Sequence, residues 1–400
     1  MTESPAGHNQ GGAVAAVTGR LLVDGNLVRG ALVIERGRIV DVRIGSAVSV
    51  GNVDRLPSPR IDAEIVSPGL VDLQVNGGFG LEVGADAQAL RDLAARLPST
   101  GVTTFLPTAV SAGAADYRAL AAAFTSARGG AGARMPGLHL EGPLLSPARA
   151  GAHRADAIAA GGATLDEALA DLLAAGMVRL MTLAPERPGA LALIARLRQA
   201  GAAVSLGHTD ATFEQTVAAI DAGATLATHL YNAMSPLRHR APGAVGAALA
   251  DDRLTVMLIA DGVHVHPAAL NVALRSKGPE RCALVTDAIA AAGAPPGRYA
   301  LAGVQVISDG QSARLADGTL AGSTLTLDRA VRMMAGLAGA RLEDALAMAS
   351  AVPAAAIGLA DTGRIAVGQV ADLALWSSAM EVTATIVGGE LAFLRSPRPA

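Results

Sequence analysis

Cysteine is nearly absent from this chain. Cys282 is the only one, which excludes an internal disulfide, and its place in the apolar run Cys282-Ala-Leu-Val-Thr286 predicts a small buried thiol. Long apolar runs are missing too, because no stretch approaches the roughly 18 residues that a membrane span requires. Residues 1–20 lack the basic start and apolar middle of a signal peptide. These absences predict a cytoplasmic protein without a membrane partner.

A dominant charge of one sign is also missing. The chain has 32 basic and 35 acidic side chains, a net charge of −3, without a long run of either sign. Bulk electrostatics therefore give no reason to expect a nucleic-acid partner, and specificity must come from a local site. Hydrophobic residues, in contrast, make up 51% of the 400 positions. That is enough to bury one large core, or one large domain and a small one.

The two ends of the chain share a pattern of short strands. Residues 1–17 are rich in Gly, Ala, Ser and Asn without periodicity, which predicts a loose tail. In residues 18–66, runs such as Leu32–Ile39 alternate with Gly and Asp turns, as in a small antiparallel sheet. Similar runs, such as Val382–Val387, return in residues 362–396. We therefore predict that both ends join in one small β domain beside a central domain of residues 67–361.

The central block contains eight short apolar runs. Most are separated by Ala- and Leu-rich segments with helical spacing, such as Asp86–Leu97. This alternation predicts an α/β fold, and the size of the block favours a TIM-like (β/α)8 barrel over an open doubly wound sheet. The runs are Ile65–Val75, Val102–Val110, Gly137–Leu140, Val178–Leu183, Ala203–Leu206, Thr225–Leu230, Leu254–Ala260 and Ala283–Val285.

Polar side chains gather at the carboxyl ends of these runs. In a barrel those ends converge on one face, where active sites are built, so the shared position strengthens the barrel prediction. The residues are Gln74, Asn76, Glu141, His208, His229, His264 and Asp287.

Three of these residues form a candidate metal site. Glu141, His208 and His229 offer one carboxylate oxygen and two imidazole nitrogens, a set that leaves a coordination position open, as catalytic metals require. Taken singly, each residue is equally well explained as a satisfied polar group at a strand end. Their common position in three strands favours the metal.

Two further residues are candidates for catalysis. Asp287 ends the eighth run, where it could take a proton from an attacking water and pass it to a leaving amine. The alternative for Asp287 is a cap on a following helix. His153 follows the third strand and could donate a hydrogen bond to a carbonyl oxygen as that oxygen gains charge.

At this point the sequence resembles a known family. Segments along the chain, in order from about residue 20 to residue 395, are similar to those of the N-acetylglucosamine-6-phosphate deacetylases of the amidohydrolase superfamily, and Thr-His-Leu-Tyr-Asn-Ala-Met is the most specific of them. The segments are Pro68–Gly77, His139–Pro143 with Gly151–His153, Gly207-His208, Thr228–Met234, Ala260–His264, Val285–Asp287 and Leu320–Ser323.

The resemblance implies a fold, a reaction and a role for each matching residue. The fold is an amidohydrolase barrel with a small β-sandwich from both chain ends, and the reaction is hydrolysis of the acetamide of N-acetyl-D-glucosamine 6-phosphate to D-glucosamine 6-phosphate and acetate. Glu141, His208 and His229 match the metal ligands, Asp287 the acid/base, and His153 the group that polarises the carbonyl. The residues that match the lining of the sugar-phosphate pocket are Ala152, Asn232, Ala233, Leu320, Ala321 and Gly322.

The resemblance also implies a homodimer. Arg240 and His264 match groups that reach the substrate's phosphate from a second subunit. From its short segment alone, Arg240 is better explained as a solvated loop charge.

The first barrel strand departs from the wider superfamily. Many amidohydrolases carry His-x-His there for a second metal, whereas this chain has Gln74 and Asn76, and neutral amides are poor ligands for transition metals. We therefore expect one divalent metal per subunit, zinc or iron(II). His139 lies on the same strand face as Glu141 and is a candidate replacement ligand, but the family match does not use it, which favours a structural role.

Two rival functions remain at this stage. The metal ligands do not distinguish N-acetylglucosamine from N-acetylgalactosamine 6-phosphate or another acyl amide, because epimer choice depends on contacts to one hydroxyl. A non-catalytic sugar-phosphate binding protein is the other alternative. It predicts loss of a ligand or of the acid/base, whereas Glu141, His208, His229 and Asp287 are all present.

Overall fold

The computed structural model describes residues 12–45, 56–159 and 163–396. In chain order its strands are β1 (Ala16–Val23), β2 (Asn26–Glu35), β3 (Arg38–Ile44), β4 (Arg60–Pro68), β5 (Leu70–Val75), β6 (Gly77–Gly78), β7 (Leu81–Glu82), β8 (Val102–Ala109), β9 (Leu138–Glu141), β10 (Val178–Leu183), β11 (Ala203–Leu206), β12 (Leu226–Ala227), β13 (Thr255–Leu258), β14 (Cys282–Leu284), β15 (Gly297–Leu301), β16 (Val304–Ser308), β17 (Ala313–Arg314), β18 (Leu373–Trp376), β19 (Val382–Val387) and β20 (Glu390–Leu394).

The α-helices of the described residues follow most of the barrel strands. They are α1 (Ala87–Arg96), α2 (Ala114–Ala127), α3 (Ala155–Ala159), α4 (Ala163–Ala174), α5 (Ala190–Gln199), α6 (Phe213–Asp221), α7 (Gly243–Ala250), α8 (Pro267–Lys277), α9 (Leu327–Gly336), α10 (Leu342–Met348) and α11 (Ala351–Ala356). Within this part of the chain, none is long and apolar enough to cross a membrane.

Eight parallel strands form the central sheet, in the order β5-β8-β9-β10-β11-β12-β13-β14. The strands are buried on both faces, as parallel strands between helices must be; all six residues of β5, for example, are buried. The sheet closes where Val75 pairs with Ala288 and where Asn76 N–H donates to the Ala288 carbonyl at 2.8 Å. The predicted TIM-like (β/α)8 barrel is confirmed.

The first predicted run, residues 65–75, is divided between two sheets. β4 ends at Pro68 and pairs with β18, while β5 begins at Leu70 and pairs with β8. Gly69 joins them where a Cβ atom would stand 2.2 Å from the Thr103 hydroxyl oxygen. Glycine is therefore required for the close approach of the two sheets.

The chain ends build a second, seven-stranded mixed sheet in the order β20-β19-β18-β4-β1-β2-β3. Ile39 of β3 and Ile386 of β19 lie in the same hydrophobic cluster, so the sheet curls around a core of its own. The predicted small β domain from both ends is confirmed, and its bounds at residues 18–66 and 362–396 stay a prediction. Most of the predicted tail, residues 1–17, lies outside the described residues. Its last two residues were predicted wrongly, because β1 begins at Ala16 and Val17 is fully buried.

A partly buried ion pair joins the barrel to the terminal sheet. Arg134, before β9, donates to the carboxylate of Asp372 and to the hydroxyl of Thr362 at 3.1 Å. The Asp372 side chain is 1% exposed, and burial raises its pKa although Arg134 opposes that shift. The guanidinium therefore compensates a carboxylate that has little access to water.

This contact generates a stability prediction. Arg134→Met should lower the free energy of unfolding by about 3 kcal/mol, because removal of one partner leaves the other charge buried and unpaired. Arg43→Met is the matched control, since Arg43 and Asp41 form an exposed pair that is worth under about 1 kcal/mol. Denaturant unfolding of both variants measures the difference, and equal losses would contradict the prediction.

Candidate active site

Three buried side chains converge at the carboxyl ends of their strands. Glu141 is the last residue of β9, and His208 and His229 each lie two residues beyond β11 and β12. The Glu141 Oε1 atom is 3.2 Å from His208 Nε2 and 3.1 Å from His229 Nε2, and the two Nε2 atoms are 3.1 Å apart. The structure therefore brings the three predicted metal ligands together.

The chemistry of these atoms fits a divalent metal. His208 Nδ1–H donates to the Arg149 carbonyl at 2.8 Å, which leaves the Nε2 lone pair directed at the cluster, as in a metal-ligating histidine. His229 Nδ1 has no hydrogen-bond partner among the described residues. Two imidazole nitrogens and a carboxylate oxygen within 4.8 Å of one another form the set expected of a catalytic site.

The charged groups of this cluster shift one another's pKa values. Burial alone would raise the pKa of Glu141, but the surrounding imidazoles of His153, His208 and His229 hold that pKa well below its usual range. Burial alone would lower the pKa of His229, and its contact with Glu141 raises it instead. The carboxylate is therefore kept ionised and available to a cation.

Three of the predicted site residues adopt left-handed backbone conformations. The φ angles are 46° at His208, 30° at His229 and 50° at Asp287. Non-glycine residues rarely occupy this region, and strained backbone gathers at functional sites where the surrounding structure enforces it.

Asp287 faces the cluster from the last strand. Its Oδ1 atom accepts a 2.8 Å hydrogen bond from Asn76 Nδ2. Burial and the negative charge of Glu141 raise the pKa of Asp287 to about 6, in the range where a carboxyl group can both accept and return a proton.

Gln74 and Asn76 act here as hydrogen-bond donors. Gln74 Nε2 donates to Glu141 Oε1 at 3.0 Å, while Asn76 binds Asp287. The two amides therefore orient one proposed metal ligand and one proposed acid/base.

His153 is held in a single tautomer by Ser111, a residue that sequence reasoning missed. The Ser111 backbone N–H donates to His153 Nδ1 at 3.1 Å, so a neutral ring carries its proton on Nε2, which lies 3.7 Å from Glu141 Oε2. Burial and the neighbouring His208 lower the pKa of His153. The ring therefore presents an N–H donor to the site. Ser111 lies just beyond β8, and that strand-end position was the available signal.

His139 has a structural role. Its Nδ1–H donates to the Leu73 carbonyl at 2.9 Å, and its Nε2 accepts from the Thr182 hydroxyl at 2.8 Å. Both ring nitrogens are therefore engaged away from the metal cluster, and burial lowers the pKa of His139 to about 4. The structural interpretation of His139 agrees with this geometry.

A cavity of about 360 Å³ opens above the cluster. Ala321 is fully buried in an adjacent hydrophobic cluster and is absent from the cavity wall, and Arg240 lies on an exposed loop. A larger cleft of about 790 Å³ lies beside the cavity but is lined by none of the cluster residues. The remaining residues predicted to line the substrate pocket do line the cavity: Ala152, Asn232, Ala233, His264, Leu320 and Gly322.

The position of His264 corrects one prediction. We expected His264 to reach a neighbouring subunit, whereas its ring lines the cavity of its own chain. Asp261, which sequence reasoning missed, accepts His264 Nδ1–H at 2.6 Å and the His264 backbone N–H at 2.8 Å. Both side chains of this hydrogen-bonded pair are buried, and the short turn from Asp261 to His264 directs the ring inwards.

A small sheet that the sequence did not predict covers one side of the cavity. Strands β15, β16 and β17 are inserted between β14 and α9, and Leu301 and Thr319 from this insertion line the wall. The Ala302 backbone N–H donates to the carboxylate of Glu82, at the end of β7. The insertion is therefore tied to the loop that follows the first barrel strand.

Known proteins share this architecture. The amidohydrolase family profile matches residues 65–392. The chain is 42% identical to N-acetylgalactosamine-6-phosphate deacetylase of Escherichia coli O157:H7, over 83% of this chain and 88% of that protein. It is 37% identical to N-acetylglucosamine-6-phosphate deacetylase of Bacillus subtilis (strain 168), over 82% of this chain and 85% of that protein.

The fold comparison agrees. The chain superposes with a TM-score of 0.85 and 37% identity on a mutant of N-acetyl-D-glucosamine-6-phosphate deacetylase from Mycobacterium smegmatis, solved in complex with N-acetyl-D-glucosamine-6-phosphate. The alignment covers 95% of this chain and 100% of that one. The resemblance inferred from the sequence motifs is confirmed.

The contacts of His139 generate a second prediction. His139→Phe should lower the free energy of unfolding by about 1–3 kcal/mol, because it leaves the Leu73 carbonyl buried without the His139 donor, while the Thr182 hydroxyl keeps the Thr228 hydroxyl as a partner; the metal should stay bound. In metal-free wild type, stability should fall as pH drops from 6.5 towards 4, since unfolded chains protonate His139 before folded ones do. His139→Phe should flatten that decline.

Denaturant unfolding as a function of pH, together with elemental analysis, checks both parts. His139→Asn is the matched control, because its amide offers both a donor and an acceptor and should cost less stability. Loss of bound metal from a folded His139→Phe protein would restore His139 as a ligand.

Proposed function

Because the chain belongs to the amidohydrolase family, and within it to the N-acetylglucosamine-6-phosphate deacetylases, we propose that it hydrolyses the acetamide of N-acetyl-D-glucosamine 6-phosphate. The products are D-glucosamine 6-phosphate and acetate. The observation that carries this proposal is the buried Glu141, His208 and His229 cluster, with Asp287 and His153 facing the same cavity.

The chemistry follows from the positions of these groups. A divalent metal held by Glu141, His208 and His229 would acidify water and polarise the amide carbonyl. Asp287 removes a proton from the attacking water, and His153 Nε2–H donates to the carbonyl oxygen as it gains negative charge. Asp287 then transfers its proton to the amide nitrogen, so that the C–N bond breaks with an amine as the leaving group.

The proposal includes one metal per subunit, zinc or iron(II). Support comes from Gln74 and Asn76, whose amide groups donate to Glu141 and Asp287 and occupy the usual second-metal positions. Mixed imidazole and carboxylate ligands suit both metals.

Recognition of the phosphate is proposed for His264 and Arg240. His264 lines the cavity, and because Asp261 holds its Nδ1 atom, its Nε2 atom is left free to contact a phosphate oxygen. Arg240 is exposed and outside the cavity of its own chain, which is compatible with a guanidinium supplied to a second subunit. We therefore include a homodimer in the proposal.

A second candidate substrate is N-acetylgalactosamine 6-phosphate. The 42% identity to N-acetylgalactosamine-6-phosphate deacetylase of Escherichia coli O157:H7 favours it, against 37% for N-acetylglucosamine-6-phosphate deacetylase of Bacillus subtilis. The metal ligands and acid/base serve either epimer. The cytoplasmic location and the absence of nucleic-acid and membrane partners stay predictions from composition.

A free-amine assay on both sugar phosphates, with elemental analysis of the same protein, tests this function. We expect one tightly bound metal per chain and higher kcat/KM for the glucosamine epimer. Asp287→Asn should bind metal and lose at least about 100-fold in kcat, because general acid–base terms are worth roughly 10²–10⁴-fold. A rate above a tenth of wild type would remove Asp287 from this role, and two metals per active chain would contradict the single site.

Mixing two inactive variants tests the shared phosphate site. Under subunit exchange, Asp287→Asn and Arg240→Ala should give heterodimers with about half of wild-type activity, because one site receives both lesions and the other receives neither. Arg238→Ala, in the same exposed loop, is the matched control and should keep the wild-type KM. If exchange is verified and no activity returns, Arg240 serves its own chain.

A further inference from the structure

A buried carboxylate that has no role in the proposed reaction lies at the barrel seam, where β5 meets the chain that follows β14. Asp72, on β5, is 1% exposed, and burial raises its pKa to about 7. Among the described residues no cation pairs with it. A buried, unpaired carboxyl group is costly unless its hydrogen bonds are satisfied, so its contacts point to its role.

All of these contacts lead towards the active site. Asp72 Oδ2 accepts the Thr286 hydroxyl at 2.6 Å, and Asp72 Oδ1 accepts the Thr286 backbone N–H at 3.2 Å. Asp72 Oδ1 also accepts the Gln74 backbone N–H at 3.3 Å. Asp72 therefore bridges the first barrel strand and the residue that precedes Asp287.

Asp287 needs such support because the strand before it has already ended. β14 stops at Leu284, and Asp287 has a left-handed φ of 50°. The Thr286 hydroxyl that binds Asp72 also accepts the Ala288 backbone N–H at 3.1 Å. The Thr286 hydroxyl therefore links Asp72 to the backbone of Ala288, on the far side of Asp287.

The other end of the bridge reaches Glu141. The Thr286 hydroxyl lies 3.2 Å from the Gln74 carbonyl, and the Gln74 side chain donates to Glu141 Oε1. The backbone of Gln74 and the backbone around Asp287 are therefore held at a fixed distance from each other. This distance determines how Glu141, a proposed metal ligand, lies relative to Asp287, the proposed acid/base.

We propose that Asp72 and Thr286 form a positioning clamp that fixes Asp287 against Glu141 across the barrel seam. The clamp rests on the proposed function, because its catalytic value depends on Asp287 acting on the substrate. Neither residue lines the cavity, so both act through Asp287 and Gln74.

Thr286→Val and Thr286→Ser are a matched pair for the test. Valine keeps the shape of threonine but removes the hydroxyl, whereas serine keeps the hydroxyl. Thr286→Val should lower kcat by about 10–100-fold, the usual effect of lost outer-shell support, with KM and metal content close to wild type. Thr286→Ser should restore most of the rate. Equal rates in folded valine and wild-type proteins would overturn the proposal.

A crystal structure of metal-loaded Thr286→Val gives a readout that does not depend on activity. The Asn76 Nδ2 to Asp287 Oδ1 distance, 2.8 Å here, should lengthen beyond hydrogen-bond range in the valine variant and stay short in the serine variant. An unmoved Asp287 would overturn the clamp. Inactivity of the wild type on both sugar phosphates would instead overturn the proposed function, and the displacement would still be measurable.

Asp72→Asn keeps the proposal falsifiable if the valine variant does not fold. An asparagine can accept the backbone N–H groups and donate to the Thr286 hydroxyl, which then donates to the Gln74 carbonyl. A clamp made of hydrogen bonds should therefore retain kcat within a few-fold, with an unchanged pH profile. Loss of a limb of the pH profile, with Asp287 in place, would show that Asp72 itself exchanges protons and would overturn the positioning role.

Discussion

The interaction on which the rest of the structure depends is the compensation of one buried carboxylate. Glu141 is 3% exposed. Without partners, a carboxylate at that depth would either turn towards solvent or take up a proton. Imidazoles from His153, His208 and His229 and the amide of Gln74 surround it instead. Each group comes from a different strand end or loop, so the charge is tolerated only when the barrel is closed. Closure of the fold and assembly of the site are therefore one event.

The groups that we propose for the chemistry are held mainly by contacts outside the strand ladders. His208, His229 and Asp287 follow the ends of β11, β12 and β14 and adopt left-handed conformations. His153 is oriented by the backbone amide of Ser111. Such residues stay in place because hydrogen bonds from neighbouring strands over-determine their positions, which is how active sites retain strained backbone. The barrel supplies the rigid frame for these contacts.

Much of this arrangement could be predicted from the spacing of apolar residues in the sequence. The eight apolar runs predicted the barrel, and the polar residues at their ends predicted the cluster, because parallel strands end on one face. The division at Gly69 was not predictable, since the last four residues of β4 and all of β5 are buried, so the two segments form one apolar run and differ in their partners. Ser111 holds His153 with its backbone N–H, which any residue but proline has, and with its hydroxyl, and a lone serine beyond a strand end does not indicate which histidine it will contact. The sequence could not show which subunit's cavity His264 lines, because the type of a residue does not specify the subunit that it serves.

The terminal sheet has a consequence for how the protein is made. β4 lies between β1 and β18, so its antiparallel edge has no partner until the ribosome has synthesised nearly the whole chain. An uncovered strand edge is a template for pairing with other molecules. Nascent chains whose barrels have folded therefore carry an open edge beside Ser67 and Pro68 until β18 emerges. A pause in translation between β4 and β18 is therefore expected to leave this edge open to pairing with other chains.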